Sequence, residues 1–151
     1  MRCCLKFSGF PSGAKNDELL LRQSVDIAFE QCERQLADTD LSRYDTVIFA
    51  GKSIGTAVML KYREKYGINA KALLYTPIVP TFDYTLSDCT AFSGTADQLA
   101  EPSEIMELCR RNNVPLYTYE GGNHSIETAD IFRNIENLRQ QRTKIVRQKR
   151  S

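Results

Sequence analysis

The chain has 151 residues, a length typical of one domain with a core of its own. Its 42% of hydrophobic and 26% of charged residues exclude a disordered, collagen-like or fibrous protein. The net charge excludes few classes of protein, because 20 basic residues nearly balance 19 acidic ones. No apolar stretch is long enough to span a bilayer. We therefore expect a single soluble domain over residues 1–151.

The cysteines and the first residues of the chain bear on its cellular compartment. The five cysteines are odd in number and lack C-x-x-C spacing, so neither a disulfide framework nor a zinc site is expected. Cys4, Cys89 and Cys109 lie in apolar runs, a pattern typical of small buried side chains. The N-terminus lacks the apolar core of a secretory signal. We expect a cytoplasmic protein with no metal and no cofactor.

Short apolar runs alternate with helical patterns along the chain. The first run, Leu5–Phe7 with Cys3 and Cys4, ends at a loop rich in serine, glycine and proline. Helical spacing of apolar residues then follows a cap at Asn16 or Asp17. The later predicted strands are Thr46–Ala50, Lys71–Tyr75, Cys89–Ser93 and Pro115–Tyr119.

Further helices are predicted between and after these strands. One follows the turn Gly51–Gly55 and stops near Gly67, one starts at Glu101–Ser103, and the last runs from about Glu127. The last helix ends in a basic tail from about residue 138, to which we assign no function because cations suit a helix C-terminus. The alternation predicts a three-layer α/β sandwich with a mainly parallel sheet of about five strands. Ligands of such sheets bind beyond the C-terminal ends of the strands.

The turn after the second strand reads Gly51-Lys52-Ser53-Ile54-Gly55 and leads into a helix. A G-x-S-x-G motif in that context is typical of a nucleophile elbow, which lifts a serine hydroxyl above the sheet. The backbone N–H of Ile54 would then point at a developing oxyanion from a helix N-terminus. An ordinary turn with Ser53 as helix cap is the alternative. A P-loop is excluded, because that motif needs a glycine at position 46, which is Thr46.

Two more polar residues follow the later strands. His124, the only histidine, lies on the glycine-rich loop after the last strand, where a general base for Ser53 belongs. Asp97 lies just past the fourth strand, on an element separate from the histidine's loop. Asp83, several residues beyond the third strand, is the rival for the acid that orients His124. The order serine, aspartate, histidine is the one found in α/β hydrolases.

With these motifs the chain resembles the α/β-hydrolase superfamily, in particular its small carboxylesterases and dienelactone-hydrolase-like members. The resemblance runs from about Leu5 to Phe132. It rests on the segments Ser8–Pro11, Gly51–Gly55, Gly94–Asp97 and Gly121–His124.

The resemblance implies both a fold and a reaction, acyl transfer on a small-molecule ester without a cofactor. Ser53 would be the nucleophile, His124 the general base, and Asp97 the acid that orients it. The backbone N–H groups of Phe10 and Ile54 would form the oxyanion hole. No segment is long enough to form a cap domain, so the site should be open. Neither a nucleic-acid nor a membrane partner is expected.

The chain also departs from the family pattern. Ser8 stands where the family's loop usually has a histidine, and the family's early strands are missing. A sheet this small favours a homodimer that protects its edge. The missing strands, with Lys52 beside the nucleophile, favour an alternative: an inactive hydrolase-like binding or interaction module. A flavodoxin-like cofactor binder is disfavoured, because the first loop has too few hydroxyls and glycines to cradle a phosphate.

Overall fold

The computed structural model describes residues 3–13 and 17–150, with side chains described up to residue 146. Four strands form one all-parallel sheet in chain order. They are β1 (Ile48–Lys52), β2 (Lys71–Tyr75), β3 (Cys89–Gly94) and β4 (Leu116–Tyr119). The helices are α1 (Glu18–Leu36), α2 (Ile54–Lys65), α3 (Pro102–Arg111) and α4 (Ile131–Arg150). Short 3₁₀ turns lie at Leu41–Arg43 and Val79–Asp83.

The sheet has a hydrophobic core on each face, as the unbroken apolar strands predicted. Leu74 of β2 packs in one core with residues of α1, α2 and α3. Its neighbour Leu73 points to the opposite face and packs with Phe92 and with Ile145 of α4. The fold is therefore a three-layer α/β sandwich, with the C-terminal ends of all four strands at one edge.

The prediction of a first strand at Leu5–Phe7 is wrong. That segment runs outside the sheet, and two glutamines of α1 bind its backbone. The Gln31 amide accepts from Ser8 N at 3.1 Å and donates to Ser8 O at 2.7 Å. Gln35 binds Lys6 in the same way, at 3.3 and 3.0 Å. Because these side chains take the bonds a neighbouring strand would make, β1 is an edge strand, and a cleft of about 690 Å³ lies beside it.

The last helix begins later than predicted, at Ile131 rather than near Glu127. The Asn123 side chain accepts hydrogen bonds from Ser125 N and Glu127 N, at 2.7 and 3.2 Å, and closes a turn there. Asp130 then caps the helix by accepting from the Phe132 N–H at 2.8 Å. Because α4 begins later, the segment between β4 and α4 forms a compact loop.

Helix α4 has an unusual distribution of polar and apolar residues. Asn137 and Gln141 are buried, whereas Ile131, Phe132 and Leu138 are 64–80% exposed. An amphipathic helix on a sheet normally shows the reverse. Among the residues described, no helix combines the length and apolar character needed to cross a membrane.

Candidate active site

The turn between β1 and α2 consists of one residue, Ser53. Its backbone has φ 53° and ψ −125°, a region that non-glycine residues rarely occupy and that costs about 1–3 kcal/mol. The Ser53 N–H still extends the sheet, donating to Tyr75 O at 2.9 Å. Its side chain makes no capping hydrogen bond to α2, so the interpretation as an ordinary helix cap is wrong. Ser53 therefore has the strained strand-to-helix geometry of a nucleophile elbow.

The two glycines of the elbow play different parts. A Cβ on Gly51 would lie 2.5 Å from the backbone oxygen of Gly55, so no side chain fits where the strand passes beneath α2. A Cβ on Gly55 would meet nothing within 4 Å. Only the first glycine is therefore required by close backbone approach.

The loop after β4 lies against the end of β3 because neither has a side chain at the contact. A Cβ on Gly94 would lie 2.1 Å from the Gly122 oxygen. The two segments are joined by hydrogen bonds from Ala96 N to Gly122 O at 2.9 Å and from Thr95 N to Tyr119 O at 3.0 Å. This backbone contact brings the histidine loop beside the loop that carries Asp97.

Asp97 and His124 form a buried pair. His124 Nδ1 lies 2.7 Å from Asp97 Oδ2, and their side chains are 16% and 0% exposed. The other carboxylate oxygen accepts from Leu99 N at 2.8 Å and Ala100 N at 3.2 Å, which fixes the carboxylate as an acceptor. Nδ1 therefore donates to Asp97, and in the neutral imidazole Nε2 is the free acceptor. Nε2 is buried and has no partner among the described residues.

Not every candidate residue is joined to the others. Among the residues described, no hydrogen bond links Ser53 with His124; without substrate, catalytic hydrogen bonds are often long. Phe10 follows the segment held by α1, and Leu5 and Phe7, not Phe10, line the cleft beside β1. The assignment of the Phe10 N–H as an oxyanion donor stays a prediction.

The rival acid, Asp83, is paired with a residue of α1 rather than with His124. Asp83 lies at the end of a 3₁₀ turn, pairs with Arg22 of α1 and is 41% exposed. Asp97, by contrast, contacts the imidazole directly. The geometry favours Asp97 over Asp83 as the acid that orients His124.

Sequence reasoning missed a contact that joins two parts of the site. Lys52 Nζ donates to Ser125 Oγ at 2.9 Å, so the residue before Ser53 is tied to the residue after His124. The two lie 73 positions apart, and no motif spacing predicts their contact.

Two tyrosines near the site are neutral. Burial raises the pKa of Tyr119 to about 12 and also raises that of Tyr75. Both remain neutral phenols near neutral pH.

No family model and no curated protein matches the chain, but solved structures do. This chain is 16% identical to an alpha-beta serine hydrolase homologue from Coxiella burnetii. The match covers 67% of this chain and 52% of that chain, with a TM-score of 0.54. A SOBER1 variant from Arabidopsis thaliana is 18% identical over 87% and 66% of the two chains, with a TM-score of 0.52. Esterase Pf2001 from Pyrococcus furiosus is 14% identical over 83% and 60%, with a TM-score of 0.51.

The chain thus spans between 52% and 66% of the length of these three structures. They share its parallel sheet and flanking helices, so the chain has the α/β-hydrolase fold, as the motif resemblance predicted. The sheet has four strands among the described residues, rather than the about five that the sequence indicated.

Proposed function

We propose that the chain is a serine hydrolase that cleaves a small carboxylic ester or thioester through an acyl-enzyme. The observation that carries the proposal is the 2.7 Å contact between His124 Nδ1 and Asp97 Oδ2, which leaves Nε2 unpartnered among the described residues. The strained backbone of Ser53 supports it, because such strain concentrates at active sites. The esterase from Pyrococcus furiosus supports it through the shared fold.

In the proposed reaction Ser53 Oγ attacks the substrate carbonyl while His124 Nε2 takes its proton. Asp97 stabilises the resulting imidazolium, and the Ile54 N–H, with that of Phe10, binds the oxyanion. The proton passes from His124 to the departing alcohol or thiol, leaving an acyl group on Ser53. Water then gives a proton to His124, its oxygen bonds to the acyl carbon, and Ser53 recovers the proton.

The shape of the site favours a small acyl group. The longest segment that could cover it, residues 76–88, contains the 3₁₀ turn Val79–Asp83, which is held to α2 by the 2.6 Å contact between Thr81 and Thr56. The position of this segment beside α2 supports the proposal that the site is open to solvent. A small-molecule ester in the cytoplasm is the proposed substrate, with no nucleic-acid or membrane partner.

Labelling with a fluorophosphonate tests the proposal. We expect the probe to modify Ser53 alone in the wild-type protein and to leave the Ser53→Ala variant unmodified. Ser125→Ala is the matched control, since it removes the serine beside His124 and should still be labelled. Equal labelling of Ser53→Ala and the wild type would contradict the proposal.

A non-catalytic interaction module is the second candidate. The exposed apolar side chains of Ile131, Phe132 and Leu138 on α4 favour it, because exposed apolar patches often mark contact surfaces. A folded wild-type protein that reacts with no probe and cleaves no ester would favour this candidate over the hydrolase.

A further inference from the structure

A chain of buried hydrogen bonds lies beneath the elbow. The Ile78 N–H donates to Thr81 Oγ1 at 3.2 Å. Thr81 Oγ1 lies 2.6 Å from Thr56 Oγ1, and Thr56 Oγ1 donates to the Ser53 carbonyl oxygen at 2.6 Å. Both threonines have an exposure of 0%, so bulk water does not compete for these bonds.

The direction of the chain follows from counting protons. A carbonyl oxygen only accepts, so the single hydroxyl proton of Thr56 points to Ser53 O. The proton between the two hydroxyls must then come from Thr81, which itself accepts from the Ile78 N–H. All donors point toward Ser53, and hydrogen bonds aligned in this way polarise one another.

The bonded carbonyl belongs to the peptide that joins Ser53 to Ile54. A trans peptide is planar, and its C=O and N–H point in opposite directions. Holding Ser53 O from one side therefore aims the Ile54 N–H to the other. Thr56 holds that oxygen twice, since its backbone N–H also donates to Ser53 O at 2.9 Å. Polarising the carbonyl also strengthens the N–H as a donor.

We infer that Thr56 and Thr81 are positioning residues that orient and polarise the Ile54 N–H, the oxyanion donor of the proposed hydrolase. The inference rests on the proposed function and adds two residues outside the Ser53–Asp97–His124 set. It explains why two buried hydroxyls lie where apolar side chains would otherwise fill the contact between α2 and the 3₁₀ turn.

The test separates this role from a purely structural one. Thr56→Val and Thr81→Val remove each hydroxyl at nearly constant volume, and Thr56→Ser restores it. Ser24→Ala is the control, because it removes another buried hydroxyl, bonded within α1 to Leu20 O at 2.8 Å. Turnover is expressed per fluorophosphonate-titrated Ser53, so that any misfolded fraction drops out. An ester and the matching thionoester are compared, because sulfur accepts hydrogen bonds weakly.

Complete loss of an oxyanion donor lowers kcat about 10²–10³-fold, so misaiming it should lower kcat per titrated site of Thr56→Val about tenfold. We expect a smaller loss for Thr81→Val, a lowered preference for ester over thionoester in both, and wild-type values for Thr56→Ser and Ser24→Ala. Unchanged kcat per site and an unchanged ester preference in both valine variants would overturn the inference while leaving the hydrolase proposal intact. A wild-type protein that is neither labelled nor active would overturn both.

Discussion

The orientation of His124 depends on one carboxylate, that of Asp97. Asp97→Asn keeps an oxygen for the Leu99 and Ala100 amides but replaces the acceptor that selects the imidazole tautomer. We expect turnover to fall by about 10⁴, as when the acid of a catalytic triad is replaced by its amide. Thermal denaturation should show little change in Tm, since the loop contacts survive.

Asp83→Asn is the matched control for that variant. It removes a charge from the rival acid, which pairs with Arg22 on the surface, and surface ion pairs contribute about 0–1 kcal/mol. Steady-state assays should show a loss of less than about tenfold, because an exposed charge away from the imidazole acts only weakly. A larger loss for Asp83→Asn than for Asp97→Asn would assign the orienting acid to Asp83.

The cysteines differ sharply in burial. Cys32, Cys89 and Cys109 are buried and free, and burial raises the pKa of Cys32 to about 11 and of Cys109 to about 12. Because the thiolate is the reactive form, these thiols should resist iodoacetamide in the folded protein at pH 8. Cys3 and Cys4 are exposed, so the interpretation of Cys4 as buried is wrong.

Mass spectrometry after brief alkylation checks this pattern. We expect two labels on the native protein, at Cys3 and Cys4, and five after denaturation in guanidinium. The Cys4→Ser variant should lose one native label and no stability. Rapid native labelling of Cys32 or Cys109 would contradict the packing described for α1 and α3.

The elbow offers a paired test within one motif. Gly51→Ala forces a Cβ to within 2.5 Å of the α2 backbone and should destabilise the protein by about 1–3 kcal/mol or more. Gly55→Ala has open space and should be neutral or stabilise by up to about 1 kcal/mol, since alanine reduces the entropy of the unfolded chain. Urea unfolding of the two variants measures the difference. Equal destabilisation by both substitutions would contradict the asymmetry of the motif.

Elements whose residues carry the signal themselves could be predicted. The bounds of β2, Lys71–Tyr75, are those predicted, because an apolar run between turn signals is enough to define a buried strand. The cap of α1, predicted at Asn16 or Asp17, is likewise a local signal, and the Asp17 side chain accepts from Leu19 N and Leu20 N. In the site, the elbow motif predicted where Ser53 lies because strand, turn and helix are consecutive in sequence.

Features that depend on distant side chains could not be predicted. The segment Leu5–Phe7 has a strand-like sequence, and only the contacts made by Gln31 and Gln35 show why it stays outside the sheet. The contact of Gly94 with Gly122 likewise could not be predicted, because it joins the end of β3 to the loop after β4. Burial of Thr56 and Thr81 against each other follows from how the 3₁₀ turn packs on α2, which no spacing encodes.

At the scale of the whole molecule, no strand among the described residues pairs with the outer edge of β1. Ala50 in that strand is exposed and Phe49 is half-buried, although the sequence is apolar enough for a central strand. Open apolar edges pair with other chains, so we expect a homodimer through β1. Sedimentation velocity should give a dimer for the wild type and a monomer for Ala50→Lys, with Thr118→Lys on the opposite edge strand as control. A concentration-independent wild-type monomer would contradict the dimer.

Trapping the covalent intermediate tests the proposed chemistry most directly. The protein is mixed with p-nitrophenyl acetate, quenched in acid before the first turnover is complete, and digested for peptide mass spectrometry. We predict one acetyl group on Ser53 together with a burst of p-nitrophenol, and neither in Ser53→Ala or Asp97→Asn over the same interval. Acetylation confined to lysine or cysteine side chains, or a wild-type Ser53 that stays unmodified, would contradict the assignment of Ser53 as the nucleophile.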